Sequence, residues 1–391
     1  MELKKYKLGE ILELQRGYDL PSSQMKIGSV PVAGSNGVIG YHDTARGNYP
    51  CITVGRSGSV GKVHYYEQPT WAHNTALFVK NFKGNDPKYL YYFLKNLHLD
   101  EMFSKGSSVV PSLDRKVVHS LIVPFQEDKT CQKQIASVLS NIDRKIELNR
   151  AINQNLEAMA KQLYDYWFVQ FDFPDENGRP YKSSGGKMVW NEKLKREIPK
   201  GWNDGILIDI TNITMGQSPD GSSYNEVGEG ILFYQGSTDF GIRFPSVRQY
   251  TTAPSRLAKK GDILMSVRAP VGSINIANND CCIGRGLSAI NSKLGSMAHL
   301  YYILNDLRIA FNQRNAAGTT FGSITKEDLY SLPIIIPSDE VIRAFDKICS
   351  PMFDRQMILG EEINILIKQR DELLPLLMNA QVSVNSDLSD D

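Results

Sequence analysis

The sequence predicts an α+β fold in which two pseudo-repeated, mixed α/β domains are separated by two long antiparallel coiled-coil helices, with pseudo-twofold symmetry. Three observations support this fold. The chain has 391 residues, which is too long for one ordinary hydrophobic core. It contains an internal repeat. Each repeat ends in a long segment with apolar residues at heptad spacing, which is typical of a coiled-coil helix.

The repeat is visible in several segments. LYYFLKNL at 90–97 returns as LYYILNDL at 300–307, and SVGKV at 59–63 returns as PVGSI at 270–274. GSSVVPSLDRKVVHSLIVP, which begins at Gly106, returns as GTTFGSITKEDLYSLPIIIP from Gly318. A nearly constant offset over such a distance indicates a tandem duplication. We therefore expect each half to contain a strand-and-turn region, a short helix, a strand bounded by proline and a long helix.

Repeat and composition together divide the chain into six parts. We expect a first domain at 1–128, a central coiled-coil helix at 129–169, an aromatic-rich linker at 170–200, a second domain at 201–338, a C-terminal coiled-coil helix at 339–380 and a disordered acidic tail at 381–391.

The first long helix lacks proline and glycine and has an apolar seam with two polar positions, whereas Pro351 and Pro375 are expected to break or kink the second. Asn364 is the repeat partner of Asn153, so we expect one polar layer in both halves. A surface helix packed on its own domain is the alternative to this coiled coil. The predicted helix–helix seam comprises Ile135, Leu139, Ile142, Ile146, Asn149, Asn153, Leu156, Leu163, Met357, Asn364, Ile367 and Leu374.

The linker contains too many aromatic residues to be a free connection. We expect it to dock on the helix pair or on another protein. The residues predicted to dock on a partner subunit are Trp167, Phe168, Phe171 and Phe173.

GRSGSVGK, from Gly55 to Lys62, has the appearance of a phosphate-binding loop. Five residues separate Gly55 from Gly61 where that motif needs four, and Val63 follows Lys62 in place of Ser or Thr. VHYY then predicts a strand, whereas a phosphate loop opens a helix. The glycines are therefore predicted to form a turn between strands.

No catalytic or metal site is expected. Asp86-Pro87-Lys88-Tyr89 resembles the D-P-P-Y loop of adenine methyltransferases. A helix start explains this segment better, with Asp86 as the N-cap and Pro87 as the first helical residue. In the second half, Ser296 occupies the position of Asp86 and is expected to cap the corresponding helix. The six histidines lack zinc-hydrolase spacing, the five cysteines form no C-x-x-C pair, and a G-x-S-x-G elbow is absent. The sequence thus indicates a binding protein.

Charge and hydropathy restrict the partners. The net charge is +1, whereas a protein that binds DNA alone is usually more basic. Either nucleic acid is not the partner, or another subunit supplies positive surface. The start lacks an apolar signal region and no segment has membrane-spanning character, so we expect a cytoplasmic protein without a membrane partner.

The repeat, the WAHNTALFV strand, the link from Phe171 to Trp202 and the helix heptads together resemble the specificity (S) subunit of type I restriction-modification enzymes. The resemblance implies a non-catalytic subunit with two target recognition domains, each reading one half of a split site in double-stranded DNA. It implies two methyltransferase (M) subunits with S-adenosylmethionine for adenine-N6 methylation, and two restriction (R) subunits with ATP and Mg²⁺ for translocation and cleavage. No cofactor is expected in this chain itself.

A helix of about 35 residues spans about 50 Å, more than one turn of duplex at about 34 Å, so the helices could set the spacer between the half-sites. WAHNTALFV and CIGRGLSAI differ, so the site should be asymmetric. A stand-alone nuclease or methyltransferase and a structural protein that never meets DNA are the competing classes.

Polar residues on turns are the candidates for DNA contact, because adenine prefers Asn or Gln and guanine prefers Arg or Lys. For each of them a phosphate contact or a solvated loop side chain is an equally open interpretation. The candidates are Arg56, Ser57, Lys62, His73, Asn74, Lys105, Ser107 and Ser108 in the first half, and Gln217, Tyr234, Arg243, Arg248, Arg268, Ser273, Arg285, Arg314, Thr319 and Thr320 in the second.

Overall fold

The computed structural model describes residues 3–104, 112–241, 243–316 and 322–384. The chain forms two compact units. Unit 1 comprises Met1–Glu147 with Asn364–Asp391, and unit 2 comprises Leu148–Ile363. Each unit has its own large hydrophobic core. The predicted α+β class, with two repeated mixed domains and long helices, is confirmed.

The first half of the chain alternates short strands with helices before the first long helix. Its elements are β1 (Lys4–Lys7), α1 (Leu8–Ile11), β2 (Glu13–Arg16), β3 (Val30–Gly34), β4 (Gly37–His42), β5 (Cys51–Gly55), β6 (Val63–Tyr66), β7 (Trp71–Ala72), β8 (Ala76–Asn81), α2 (Pro87–Asn96), α3 (Leu99–Ser104), α4 (Arg115–Ser120), β9 (Ile122–Phe125) and α5 (Lys129–Tyr164).

The described strands of unit 1 form three sheets. A four-stranded antiparallel sheet has the order β2-β8-β5-β6. A three-stranded sheet has the order β4-β3-β7, in which β3 and β7 are parallel. The pair β1-β9 is antiparallel and brings the start of the domain back to its end.

The second half repeats this order after a short hairpin. Its elements are β10 (Met188–Asn191), β11 (Arg196–Pro199), β12 (Asn203–Ile206), α6 (Leu207–Ile210), β13 (Thr211–Met215), β14 (Tyr224–Asn225), β15 (Ile231–Tyr234), β16 (Tyr250–Thr251), β17 (Leu257–Ala258), β18 (Ile263–Ser266), β19 (Ile274–Ile276), β20 (Cys281–Ile283), β21 (Leu287–Ser292), α7 (Met297–Ala316), α8 (Lys326–Tyr330), β22 (Pro333–Ile336) and α9 (Asp339–Met378).

Unit 2 has corresponding sheets. The four-stranded sheet β13-β21-β18-β19 matches the four-stranded sheet of unit 1, and β12-β22 matches β1-β9. A third sheet has five strands in the order β14-β16-β15-β20-β17, where unit 1 has three, and the hairpin β10-β11 forms a separate two-stranded sheet. Gly17 corresponds to Gly216 and Gly61 to Gly272, so the offset grows from 199 to 211 between these points. The additional residues of the second half lie in the region that forms the larger sheet.

The predicted helix caps are present. The Asp86 side chain accepts a hydrogen bond from the Tyr89 backbone N–H at 2.8 Å, with Pro87 in the first helical turn. Ser296 Oγ accepts from the His299 backbone N–H at 3.2 Å. Both caps satisfy a donor that a helix start leaves unpaired, so α2 and α7 begin where the sequence predicts.

In unit 1 the first part of α5 packs against the last part of α9. Ile135 and Leu139 share one hydrophobic core with Leu374, Leu377 and Met378. An ion pair lies beside this contact, since Arg370 Nη1 donates to Asp143 Oδ1 at 2.9 Å. The start of one helix meets the end of the other, so the two segments are antiparallel.

In unit 2 the last part of α5 packs against the first part of α9. Ala160 and Tyr164 share a core with Phe345, Cys349 and Phe353, so this segment pair is antiparallel as well. A polar group is included, because Gln356 Nε2 donates to Asn153 O at 3.3 Å and to Glu157 Oε2 at 3.0 Å.

The predicted seam residues are buried or half-buried with one exception. Asn364 is exposed, so its assignment to the seam was wrong. The polar residue of α9 that faces Asn153 is Gln356, eight positions earlier. The sequence repeat aligned Asn364 with Asn153 but could not show which side of α9 faces its partner.

Neither proline ends α9, which runs without a break from Asp339 to Met378. A proline removes one helix hydrogen bond to the carbonyl four residues earlier. The residues at those carbonyls, Lys347 for Pro351 and Asp371 for Pro375, are both exposed, so water can replace the lost donors. Buried Cys349 and Phe353 hold the helix on either side of Pro351.

The aromatic linker packs on its own unit. Trp167, Phe168, Phe171 and Phe173 are between 2% and 6% exposed and lie in the core of unit 2. Phe173 stacks on Trp202 with ring centroids 5.0 Å apart. Their assignment to docking on a partner subunit was therefore wrong, because their apolar surface is already covered by this chain.

Candidate nucleic-acid interface

In unit 1 GRSGSVGK forms the loop of a β-hairpin. The Gly55 backbone N–H donates to Lys62 O at 2.8 Å, and the Gly61 N–H donates to Gly55 O at 2.8 Å. Gly61 has a φ of +80°, and a Cβ there would lie 2.1 Å from the Asp100 backbone nitrogen, so only glycine fits. Strand β6 follows directly, which confirms the predicted turn between strands.

Two other loops meet this hairpin loop. The backbone N–H groups of Arg56 and Ser57 donate to Thr75 O at 2.9 and 3.2 Å. Lys62 Nζ donates to Asn36 Oδ1 at 2.9 Å. His73 Nδ1 lies 3.0 Å from Thr75 Oγ1. The structure thus brings Arg56, Ser57, Lys62 and His73 to one place.

A fourth loop, after β2, completes the group. A Cβ at Gly17 would lie 2.1 Å from His73 O, so the absence of a side chain permits this close approach. Asn74 Nδ2 donates to Asp19 Oδ1, and Arg16 Nη2 donates to the same oxygen at 3.3 Å. We call residues 17–19, 34–36, 56–62 and 73–75 loop cluster 1.

An aromatic and cationic group lies beside Asp19. The guanidinium of Arg46 lies 3.9 Å from the ring centroid of Tyr18 and 5.8 Å from that of Trp71. Such stacking holds an exposed arginine in one orientation. Tyr18 Oη also accepts from Gln15 Nε2 at 3.1 Å. Arg46, Tyr18 and Gln15 are functional candidates that the sequence reasoning missed.

Unit 2 contains the equivalent hairpin loop. Ser266 N–H donates to Ser273 O at 2.8 Å and Gly272 N–H donates to Ser266 O at 2.9 Å, as Gly55 and Gly61 do in unit 1. Gly272 has a φ of +84°. Arg268 is exposed on this loop and Ser273 is half-buried. Both predicted residues therefore lie where Ser57 and Lys62 lie in the first half.

The loop after β13 approaches as its counterpart does in unit 1. A Cβ at Gly216 would lie 2.2 Å from Gly284 O. Ser218 Oγ accepts from the Arg285 backbone N–H at 3.3 Å and from Gln235 Nε2 at 2.9 Å. Gln217 and Arg285 are exposed. We call residues 216–218, 235–236, 267–273 and 284–286 loop cluster 2.

Two predicted DNA contacts are wrong. Tyr234 is only 1% exposed and lies in the core beneath loop cluster 2. The Arg243 side chain is 10% exposed, and its Nη1 lies 3.2 Å from Glu157 Oε2 of α5. Both residues are covered by their own unit and cannot reach a nucleic acid.

The remaining candidates are placed as follows. Arg248 is largely exposed and pairs with Asp239, a buried carboxyl whose pKa is raised by burial and lowered in part by Arg248. Arg314 lies in α7, but its side chain is outside the described residues. Also outside them are Lys105, Ser107, Ser108, Thr319 and Thr320.

Ser218, Gln235 and Asn36 were missed as well. For Ser218 a signal was present in the sequence, since Gly17 and Gly216 each precede a polar segment at the same point of the repeat. It went unnoticed because this part of the repeat has a different offset from the segments that defined it.

His64 lies in β6, which directly follows the hairpin loop of cluster 1. Burial and the nearby Lys62 lower the pKa of His64, so this imidazole is neutral at pH 7. Across the described residues, no group of three His, Cys, Asp or Glu side chains could hold a metal ion. Nor is any described helix both long and apolar enough to cross a membrane.

Comparison with known proteins gives one consistent family. Residues 1–158 and 199–369 match the type I restriction modification DNA specificity domain. The specificity subunit named for the MjaX type I restriction enzyme of Methanocaldococcus jannaschii is 32% identical over 345 residues, covering 84% of this chain and 76% of that protein. The MjaIX specificity subunit of the same organism is 27% identical over 317 residues, covering 76% of this chain and 69% of the relative.

A solved structure has the same fold. The S subunit of a type I restriction-modification system from M. genitalium superimposes with a TM-score of 0.67, at 18% identity, over 96% of both chains. The matched domain covers most of the chain in two copies, and these copies contain the two loop clusters. The chain therefore belongs to the family of type I restriction-modification specificity subunits.

Proposed function

We propose that this chain is the DNA sequence-specificity subunit of a type I restriction-modification complex, and that each recognition domain reads one half of an asymmetric bipartite site in double-stranded DNA. The observation that carries the proposal is the pair of loop clusters. The two clusters have equivalent backbone hydrogen bonds and different side chains. Two domains of the same fold that recognise different DNA sequences are expected to have this arrangement.

The side chains of the clusters match the chemistry of DNA. Arg56 and Lys62 in cluster 1, and Arg268 and Arg285 in cluster 2, offer cationic donors to phosphate or to guanine. Amide side chains such as Asn74 offer the donor and acceptor pair that adenine needs. A cluster of this kind supports binding rather than bond cleavage.

Catalysis in this proposal belongs to the partners. Two M subunits would supply S-adenosylmethionine and adenine-N6 methylation, and two R subunits would supply ATP- and Mg²⁺-dependent translocation and cleavage. This chain would be non-catalytic and would need no cofactor. The near-neutral net charge is consistent with partners that contribute much of the positive surface.

The long helices are suited to setting the spacer and docking the M subunits. At about 1.5 Å per residue, the 36 residues of α5 extend about 54 Å, which exceeds the roughly 34 Å of one duplex turn. Their outer faces carry apolar side chains that are about half exposed, including Met159 of α5 and Ile358 and Ile365 of α9. Apolar side chains in this number on long helices indicate a protein partner.

Methylome sequencing tests the proposal. A host that expresses this chain with its M subunit should acquire one asymmetric bipartite adenine-methylation motif, and the same host with the M subunit alone should not. A palindromic motif, or none, would contradict the proposal. The purified chain alone should neither methylate DNA with S-adenosylmethionine nor cleave it with Mg²⁺, and either activity would support a stand-alone enzyme.

A further inference from the structure

We propose that the residue pairs Asp19–Asn74 in unit 1 and Ser218–Arg285 in unit 2 occupy one equivalent base-reading position, at which unit 1 recognises adenine and unit 2 recognises guanine. This inference rests on the proposed function and identifies, within each loop cluster, the side chain that distinguishes the two half-sites.

The equivalence is established by backbone contacts. Tyr18 N–H donates to Ala72 O at 2.8 Å, and Gln217 N–H donates to Ile283 O at 3.0 Å. In both units the preceding glycine, Gly17 or Gly216, lies so close to the facing carbonyl that a Cβ could not be accommodated. Asp19 and Ser218 lie two positions after these glycines. Asp19 therefore faces Asn74, and Ser218 faces Arg285.

The facing loop is anchored in the same way in both units. His73 N–H donates to Ala33 O at 2.9 Å, and Gly284 N–H donates to Tyr234 O at 2.8 Å. Asn74 and Arg285 each follow directly after this anchor. The two units therefore have equivalent backbone hydrogen bonds at this position, while the side chain is Asn74 in unit 1 and Arg285 in unit 2.

In unit 1 the amide of Asn74 is oriented by a carboxylate. Asn74 Nδ2 donates one of its two hydrogens to Asp19 Oδ1, which is in turn held by Arg16. The second N–H and the Oδ1 acceptor of Asn74 have no partner among the described residues. A paired donor and acceptor matches N7 and the N6 amino group of adenine in the major groove.

The carboxylate also argues against a phosphate at this position. The Asp19 side chain pairs with Arg16 but is 70% exposed beside Asn74, so a phosphate bound to the Asn74 amide would lie close to a carboxylate. Base edges carry no net charge, so this position suits a base rather than the DNA backbone.

In unit 2 the same position carries a free guanidinium. Ser218 Oγ accepts from the backbone of Arg285, and Gln235 fixes Ser218 in turn. Among the described residues, no carboxylate forms an ion pair with Arg285, and its side chain is exposed. A guanidinium that the protein leaves unpaired matches the O6 and N7 acceptors of guanine.

The decisive experiment transfers the pair from one unit to the other in the full chain. The double variant Asp19→Ser, Asn74→Arg, assembled with the M subunit, should change one position of one half-site from adenine to guanine in methylome sequencing. Asp19 must change as well, because its carboxylate would otherwise pair with the new arginine. The untouched second half-site serves as the internal control.

Single truncations decide the matter if the double variant does not assemble. Asn74→Ala should relax discrimination at that one base pair by about tenfold to a hundredfold, and Arg285→Ala should do the same in the other half-site. An unchanged motif in Asn74→Ala would overturn the inference. So would a uniform weakening on all sequences with a shallower salt dependence, which is the signature of a phosphate contact.

The outcomes separate this inference from the proposed function. A wild-type complex that yields no bipartite motif would overturn both. A wild-type bipartite motif that survives Asn74→Ala and Arg285→Ala unaltered would leave the proposed function standing and overturn only the assignment of the reading position.

Discussion

Arg243 and Glu157 form an ion pair inside unit 2, with Arg243 Nη1 3.2 Å from Glu157 Oε2. The guanidinium also lies 4.7 Å from the ring centroid of Phe353 and 5.3 Å from that of Tyr301. Gln356 of α9 donates to the same Glu157 oxygen. Arg243 therefore connects its loop to both long helices of unit 2. It pairs with Glu157 of α5 and contacts the ring of Phe353 of α9.

Truncating this arginine should destabilise unit 2. Arg243→Ala leaves Glu157 with one partner fewer in a largely covered position, so we expect a loss of about 2 kcal/mol in the free energy of unfolding. Urea denaturation measures this loss. Lys195→Ala, which removes an exposed pair with Glu192, is the control and should change stability by less than about 0.5 kcal/mol. If Arg243→Ala left stability unchanged and weakened DNA binding, Arg243 would be a DNA contact, as the sequence predicted.

The sequence could not distinguish Arg243 from the arginines that do lie on the loop clusters. Its partner Glu157 is 86 positions away, and neither residue belongs to a motif. Arg268 and Arg285 were predicted correctly because each lies on a turn that has a counterpart in the first half of the chain. Sequence thus identifies a polar turn, whereas tertiary packing decides which of its charges are covered.

Elements defined by local chemistry were predicted well. The caps at Asp86 and Ser296 and the hairpin at Gly55–Lys62 depend on neighbouring residues, and each is present. The linker was expected to dock on the helix pair or on another protein, and it docks on the helix pair, whereas its assignment to a partner subunit and the seam position of Asn364 were wrong. Burial of Phe173 depends on Trp202, and exposure of Asn364 depends on the rotation of α9, and neither follows from local sequence.

Two tyrosines at matching positions of the repeat should respond differently to loss of their hydroxyl. Tyr92 Oη donates to Asp143 Oδ2 at 2.6 Å, whereas the buried Tyr302 Oη has no partner among the described residues. Tyr92→Phe should therefore cost about 1–2 kcal/mol in unfolding free energy, since it leaves a carboxylate underbonded. Tyr302→Phe should be neutral or slightly stabilising. Equal losses in urea denaturation would show that Tyr302 has a partner.

His299 should make unit 2 sensitive to acid. Burial against Phe168 and Phe345 lowers the pKa of His299 to about 3, while the unfolded value is about 6.5. The unfolded chain thus binds a proton that the folded chain excludes, so stability falls as pH drops below about 6.5. The slope is about 1.4 kcal/mol per pH unit until the folded pKa is reached.

The matched variants for this effect are His299→Phe and His98→Asn. The first should remove that part of the slope between pH 6 and pH 4, measured by urea denaturation with tryptophan fluorescence. The second changes an exposed histidine at a positive φ that asparagine tolerates, and should leave the slope unchanged. Identical slopes for His299→Phe and the parent protein would contradict the assignment.

Gly216 should be intolerant of alanine although its own φ is not positive. The added Cβ would lie 2.2 Å from Gly284 O, so residues 216–218 and 284–286 must separate. We expect a stability loss of about 1–3 kcal/mol and loss of sequence preference in one half-site only. Gly221→Ala is the control, because a Cβ there meets nothing within 4 Å. If Gly216→Ala and Gly221→Ala give the same motif and stability, cluster 2 does not require the close approach.

The length of the helices should determine the spacer of the DNA site. The boundary between the units falls after Glu147 in α5 and after Ile363 in α9, so seven residues inserted at both points add about two helical turns to each helix. Seven residues keep the heptad seam in phase. The added length is about 10 Å, or about three base pairs at roughly 3.4 Å each.

Methylome sequencing of the doubly inserted variant should return the original half-sites with a spacer lengthened by about three base pairs. An insertion in α5 alone shifts one helix against the other and should abolish methylation, which makes it the control for register. An active double variant with the original spacer would show that the helices do not measure the DNA. The half-sites should stay the same because neither insertion point touches a loop cluster, so a changed base preference would mean that the helices also orient the reading side chains.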